Sequence, residues 1–154
     1  MALSDYLQED LILLGLHPKD MEECLRMMVD EASSRGAIPD PADAIHRLLE
    51  RERTMSTGMG GGVAVPHAKT DKVRNLVVVM AQVADGVDFK AIDGKPVYLV
   101  FLLLGPPDST RQHVDLLARI AYLVKAPGVI DVLRGAGSSR DVLDTLRNES
   151  RERR

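Results

Sequence analysis

The chain has 154 residues, 45% hydrophobic and 28% charged, a size and balance that suit one globular domain with a single core. A formal net charge of -3 and a sequence pI near 5.8 argue against a general binder of nucleic-acid backbones. With 3% aromatic residues and no Trp, the core must be aliphatic, and a base-stacking surface for single strands is not expected.

The N-terminus, Met1-Ala2-Leu3-Ser4-Asp5, has no basic region followed by an apolar stretch, so no signal peptide is expected. The longest apolar runs, Leu76 to Ala81 and Val97 to Leu104, fall far short of the roughly 20 residues that span a bilayer. These features predict a cytoplasmic protein. The run Leu11 to Leu16, ending before His17-Pro18, fits a strand, although its length alone leaves part of a helix open. From Asp20 to Ser34, residues Met21, Cys24, Leu25, Met28 and Val29 recur at helical spacing, and Gly36 marks the stop. Cys24, the one cysteine, falls within that stripe and reads as a small core residue.

A second helix begins with Asp40 as cap and Pro41 in the first turn, carries Ala42, Ile45, Leu48 and Leu49, and runs to about Glu52 or Arg53. A polar, Gly-rich stretch follows from Thr54 to Gly62, then Val63-Ala64-Val65-Pro66-His67. Strands are predicted at Leu76 to Val83 and Val97 to Leu104, with turns at Asp85-Gly86 and Asp93-Gly94. A helix starting near Ser109 or Thr110 carries His113, Leu116, Leu117, Ile120, Leu123 and Val124. Helices at Val129 to Arg134 and Ser139 to Arg147 complete the pattern, the latter with capping-box spacing at Ser138 and Asp141. Residues 148–154 read as a frayed, solvated end. The whole predicts an α/β fold: a single-domain sandwich, residues 1–154, with helices on both faces of a central mixed sheet.

His67 is the first candidate for chemistry. Pro66 cannot donate to a sheet ladder and biases Val65 toward an extended conformation, so the strand should stop there. That leaves His67 beside the glycines at 58, 60, 61 and 62, where another surface could approach closely. Taken alone, the same residues fit an ordinary exposed histidine after a flexible turn. Two phosphate-binding patterns are absent: no Gly-Lys-Ser/Thr ends the loop, and the segment Gly58 to Val63 lacks the last glycine of the dinucleotide fingerprint. The scattered His17, His46, His67 and His113 include no His-Glu-x-x-His or Cys/His cluster, so no metal site is expected. No Gly-x-Ser-x-Gly elbow is present either. Arg51 lies in a Glu-Arg-Glu-Arg run that reads as a solvated helix end, and His113 alone reads as a surface histidine.

Three segments change that balance. Leu49-Glu50-Arg51-Glu52 followed by Ser56-Thr57-Gly58-Met59-Gly60-Gly61-Gly62-Val63-Ala64-Val65-Pro66-His67, then Val87-Asp88-Phe89-Lys90-Ala91-Ile92-Asp93-Gly94-Lys95-Pro96-Val97, and finally His113-Val114-Asp115-Leu116-Leu117-Ala118 resemble the type-2 IIA components of the bacterial phosphoenolpyruvate-dependent phosphotransferase system, the fructose/mannitol/nitrogen-regulatory IIA family. The likeness covers essentially the whole chain. It departs at Met59, Gly61 and Val114, none of which removes a functional group. The resemblance implies that His67 accepts a phosphoryl group as a tele-phosphohistidine, that His113 lies beside it, and that Arg51 contacts the phosphoryl oxygens. It also implies the histidine-containing phosphocarrier protein as donor and a IIB domain or a regulatory target as acceptor.

The residue types suit that chemistry. A histidine nucleophile must be neutral, as an imidazole with a pKa near ~6.5 mostly is at cytoplasmic pH. A guanidinium can grip transferring oxygens through paired hydrogen bonds, so no metal, nucleotide or other cofactor is needed. The glycines, with Met55, Met59 and Val63 around them, would offer a docking surface. Fed transport, a nitrogen-type regulatory state and a non-catalytic adaptor of the same fold all remain open, and the absence of fused IIB, IIC or phosphocarrier segments tilts toward regulation.

Overall fold

The computed structural model describes residues 2–152. After two short 3-10 turns at Leu3–Tyr6 and Glu9–Leu11, the chain forms β1 (Ile12–Leu16), α1 (Met21–Ser34), α2 (Pro41–Thr54), β2 (Gly58–Gly60), β3 (Val63–Ala64), β4 (His67–Lys69), β5 (Val77–Val87), β6 (Val97–Gly105), α3 (Thr110–Lys125), α4 (Val129–Arg134) and α5 (Ser139–Glu152). Among the described residues these strands make one six-stranded mixed sheet in the order β1-β5-β6-β3-β2, with β4 also paired to β6.

Local chemistry sets the helix starts. Asp20 accepts a hydrogen bond from the Glu23 amide at 2.8 Å, and Asp40 accepts one from the Asp43 amide at 3.1 Å with Pro41 following it. These caps satisfy amides that the first helical turn leaves unpaired. Ser138 does the same for Asp141 at 3.0 Å. The strands then alternate between two aliphatic layers. On β6, Val100, Leu102 and Leu104 pack with α1 and α2, whereas Leu99, Phe101 and Leu103 pack with α3, α4 and α5. All six are fully buried, and each such side chain contributes roughly 1.5–3 kcal/mol by leaving water. Cys24 lies in the first layer, and burial pushes its thiol up to about 12.

Several boundaries differ from expectation. Asp85-Gly86 is not a turn: β5 continues to Val87 through a register shift, with Gly86 at φ 78° giving way to the Tyr98 ring. The reversal comes later, around Gly94. The strand before His67 stops at Ala64, skips Val65 and Pro66, and resumes at His67 along the same neighbour, β6. The Leu103 amide donates to the Pro66 carbonyl at 2.9 Å, so the proline interrupts the ladder without turning the chain away. Part of the glycine stretch, Gly58–Gly60, is itself a strand antiparallel to β3. At the C-terminus α5 runs to Glu152, through most of the segment expected to fray; residues 153 and 154 lie outside the described residues.

Candidate functional site

The parallel strands β4 and β6 end together, with Lys69 opposite Gly105, and the chain leaves β6 directly into the start of α3. The C-terminal ends of parallel strands facing a helix N-terminus are where open α/β sheets form their binding crevices. Here His67 and His113 meet: their ring centroids are 5.9 Å apart, with planes inclined at 72°.

The His67 ring is held by its own strand. Its Nδ1 lies 2.9 Å from the Val65 carbonyl oxygen. A carbonyl can only accept, so Nδ1 carries the proton and Nε2 keeps the lone pair. Burial is the main influence holding this imidazole below the ordinary value of 6.5; the hydrogen bond to Val65 works upward, and the Arg51 and Lys69 cations push it down again. His67 is therefore neutral at pH 7, with a nucleophilic nitrogen on the side away from its own backbone.

His113 sits in the first turn of α3, its amide bonded to the Ser109 carbonyl at 3.0 Å. It is buried, contrary to the reading of it alone as a surface histidine, and its Nε2 has no hydrogen-bond partner. Among the described residues only Ser4 Oγ shares that condition, and an orphaned buried polar atom costs about 1–3 kcal/mol. Burial, with the neighbouring His67 and Lys69 charges, depresses His113 to about 4. Gly105 makes room for it, since a β-carbon there would lie 2.8 Å from His113 Nε2 and also meet Ser109 Oγ and Leu76.

Two cations complete the polar frame. Arg51, on the last turn of α2, donates from Nη1 to the Met55 carbonyl at 3.1 Å, which steadies the guanidinium while its charge acts on His67. Lys69 hydrogen-bonds through Nζ to Thr110 Oγ1, bridging β4 to the start of α3. Sequence reasoning missed Lys69; the available signal was its place two residues beyond His67 on an extended segment, which puts both side chains on one face.

The structure thus brings His67, His113 and Arg51 together, but not the glycine turn. The Gly62 carbonyl binds the Leu99 amide at 3.0 Å, whereas His67 pairs with Leu103, a separation of about 13 Å along β6. A β-carbon on Gly61, which has φ 64°, would lie 2.6 Å from Val124 near the far end of α3. Val63 is fully buried, Met59 packs into the α3 layer, and of the three proposed apolar contacts only Met55 is exposed, at 66%. Among the described residues, no group of three or more His, Cys, Asp or Glu side chains is placed to hold a metal ion. Likewise no helix among them is long and apolar enough to cross a membrane.

The family described as the phosphoenolpyruvate-dependent sugar phosphotransferase system, EIIA 2, matches this chain over residues 5–149. The chain belongs to that family. It is 36% identical over 137 residues to a fructose-specific EIIA component of Haloferax volcanii, covering 89% of each chain. It is 31% identical over 146 residues to a nitrogen regulatory protein of Bradyrhizobium diazoefficiens, covering 95% of each. Chains of similar extent thus carry both names, which removes the expected tilt toward regulation. The fold is that of nitrogen regulatory protein IIA-Ntr from Neisseria meningitidis, with a TM-score of 0.86 at 28% identity over 94% of this chain and 98% of that one. Enzyme IIAMTL from Escherichia coli, solved in complex with phosphorylated enzyme IIBMTL, aligns with a TM-score of 0.78 at 25% identity over 92% of this chain and 97% of that one.

Proposed function

We propose that this IIA domain is a phosphoryl carrier whose acceptor atom is Nε2 of His67. The observation that carries the proposal is the hydrogen bond from His67 Nδ1 to the Val65 carbonyl. It commits the ring to one tautomer and leaves Nε2 as the nucleophile, on a ring that feels the Arg51 and Lys69 charges and lies 5.9 Å, centroid to centroid, from that of His113, whose Nε2 is unpartnered.

The step balances without a cofactor. The Nε2 lone pair forms a bond to phosphorus while the bond from phosphorus to the donor atom breaks, its electron pair returning to the donor. Nδ1 keeps its proton, so the phosphorylated ring gains positive charge, and the Val65 carbonyl stabilises it. Arg51 and Lys69 neutralise the phosphoryl oxygens, and a hydrogen bond to one of them satisfies His113. Charge-assisted contacts of this kind are worth about 1.5–3 kcal/mol each, and such transfer depends mainly on positioning and electrostatics. Reversal of the same step onto a new acceptor discharges the carrier.

The histidine-containing phosphocarrier protein is the proposed donor. A IIB domain is the proposed acceptor, supported by the solved complex of the IIAMTL relative with phosphorylated IIBMTL. A second reading, in which phosphorylation sets a binding state instead of feeding transport, is favoured by the likeness to IIA-Ntr. The test is intact-mass analysis after incubation with phosphoenolpyruvate and the general phosphotransferase proteins. One acid-labile phosphoryl group should add to the wild type and none to His67→Ala. Undiminished labelling of His67→Ala overturns the assignment.

A further inference from the structure

Glu52 follows Arg51 in a run of charges that reads as solvated, yet it is only 8% exposed. Both its carboxylate oxygens are engaged by one residue: Oε2 accepts from the Thr57 amide at 3.3 Å, and Oε1 accepts from the Thr57 hydroxyl. The neighbouring charges Glu50 and Arg53 point into solvent by comparison. Desolvation raises the Glu52 carboxyl above its ordinary value, although the two Thr57 hydrogen bonds and Arg51 act in the opposite direction. A buried carboxylate is a costly way to hold a helix end, since an apolar side chain of similar volume usually serves stability as well or better. Its position calls for another explanation.

The hydrogen bonds lead from Glu52 to the acceptor ring. Glu52 fixes Thr57; the Thr57 carbonyl accepts from the Val65 amide at 3.0 Å; the Val65 carbonyl accepts from His67 Nδ1 at 2.9 Å. Pro66, next in the chain, has no amide hydrogen that could anchor this stretch itself. Val65 also lies in the gap between β3 and β4, where the ladder to β6 is interrupted. The carbonyl that sets the His67 tautomer therefore has its place determined from the other side, through Thr57. Because Glu52 is covalently next to Arg51, the same clamp fixes the end of α2 against the strand that carries His67.

Resting on the assignment of His67 as phosphoryl acceptor, we infer that Glu52 is a positioning residue: through Thr57 and Val65 it holds the His67 imidazole in its Nδ1-protonated orientation and fixes the end of α2, which carries Arg51, against the segment that leads to His67. It touches neither the phosphoryl group nor the ring. Its removal should lower the maximal rate of transfer more than it weakens donor docking, because a displaced nucleophile loses alignment rather than binding surface.

The experiment compares Glu52→Leu, which fills the space without an acceptor, with Glu52→Gln, which retains an oxygen for Thr57. Nitrogen NMR of the unphosphorylated protein reads the His67 tautomer directly. The wild type should show a protonated Nδ1 and a bare Nε2. Glu52→Leu should show averaged nitrogen shifts and transfer slowed roughly tenfold to a hundredfold, and Glu52→Gln should recover most of both. Thr57→Val, which deletes only the hydroxyl, should move the His67 nitrogens in the same direction. Wild-type imidazole shifts in folded Glu52→Leu overturn the inference; where that variant does not fold, unchanged shifts in Thr57→Val overturn it. The tautomer is read without phosphate, so a failure of the wild type to label on His67 defeats the functional reading and leaves the positioning role to be decided by the nitrogen shifts.

Discussion

Acid should weaken this fold through His113. The ring is buried, and its burial together with the His67 and Lys69 charges lowers it from 6.5 to about 4. Between those values the histidine of the unfolded chain is protonated while the folded one is neutral. The unfolded state then binds more protons, so stability is lost as pH falls through 6.5 toward 4. The full depression corresponds to about 3 kcal/mol, of which about 2–3 kcal/mol should be expressed between about pH 7.5 and about pH 4.5. His67, also held low, contributes in the same direction. Asp43, held low by its bond from Thr70, loses stability only in more acid solution, and the raised Glu52 changes in the opposite sense. The difference between wild type and His113→Gln cancels the Asp43 and Glu52 terms and leaves the contribution of His113 with its coupling to His67. Urea unfolding at the two pH values gives that difference from the midpoints. The variant should lose about 2–3 kcal/mol less than the wild type on acidification. Equal losses would refute the claim that a buried, neutral His113 stands beside His67.

Arg51→Ala should fold normally and slow phosphoryl transfer by about one to two decades, the loss of one charge-assisted contact of about 1.5–3 kcal/mol; stopped-flow transfer assays check it. Gly105→Ala should cost about 1–3 kcal/mol by overpacking against Ser109 and His113, and it should slow transfer as well, as thermal unfolding and the same assay would show. Gly61→Asp, at one of the glycines the sequence assigned to a docking surface, should destabilise the protein by about 1–3 kcal/mol, because the residue sits in the left-handed region against Val124; denaturant unfolding checks it, and wild-type stability would return the position to a surface role.

What the sequence conveyed well was local. Asp20, Asp40-Pro41 and Ser138 act within a turn of themselves, so the helix starts were readable without knowing the fold. The runs at Leu76 and Val97 are apolar on both faces, as strands covered by helices on both sides require. Three elements escaped because their cause lies elsewhere in the chain. His67-Ala68-Lys69 has little strand character of its own and becomes β4 by pairing with Leu103 to Gly105. Asp85-Gly86 carries turn chemistry but is absorbed as an irregularity, because β5 and β6 pair on both sides of it. Glu52 looks solvated within its charged run, and only Thr57, five residues on, makes its burial tolerable.

The candidate site divides in the same way. His67, Arg51 and His113 came from resemblance; residue pattern alone favoured ordinary surface roles for them. Their convergence is a consequence of topology. The last turn of α2, β4, and the junction of β6 with α3 are three separate segments of the chain, and no local periodicity connects them. The turn at glycines 60–62 was misplaced for the converse reason. It is adjacent to His67 in sequence, but β3 carries the chain along β6 away from it.

The most direct test of the account is the identity of the phosphorylated nitrogen. With histidine nitrogens labelled, NMR of the phosphorylated protein should show phosphorus coupled to Nε2 of His67, with Nδ1 still protonated and bonded to the Val65 carbonyl. Phosphorus on Nδ1 of His67, or on His113, would contradict it.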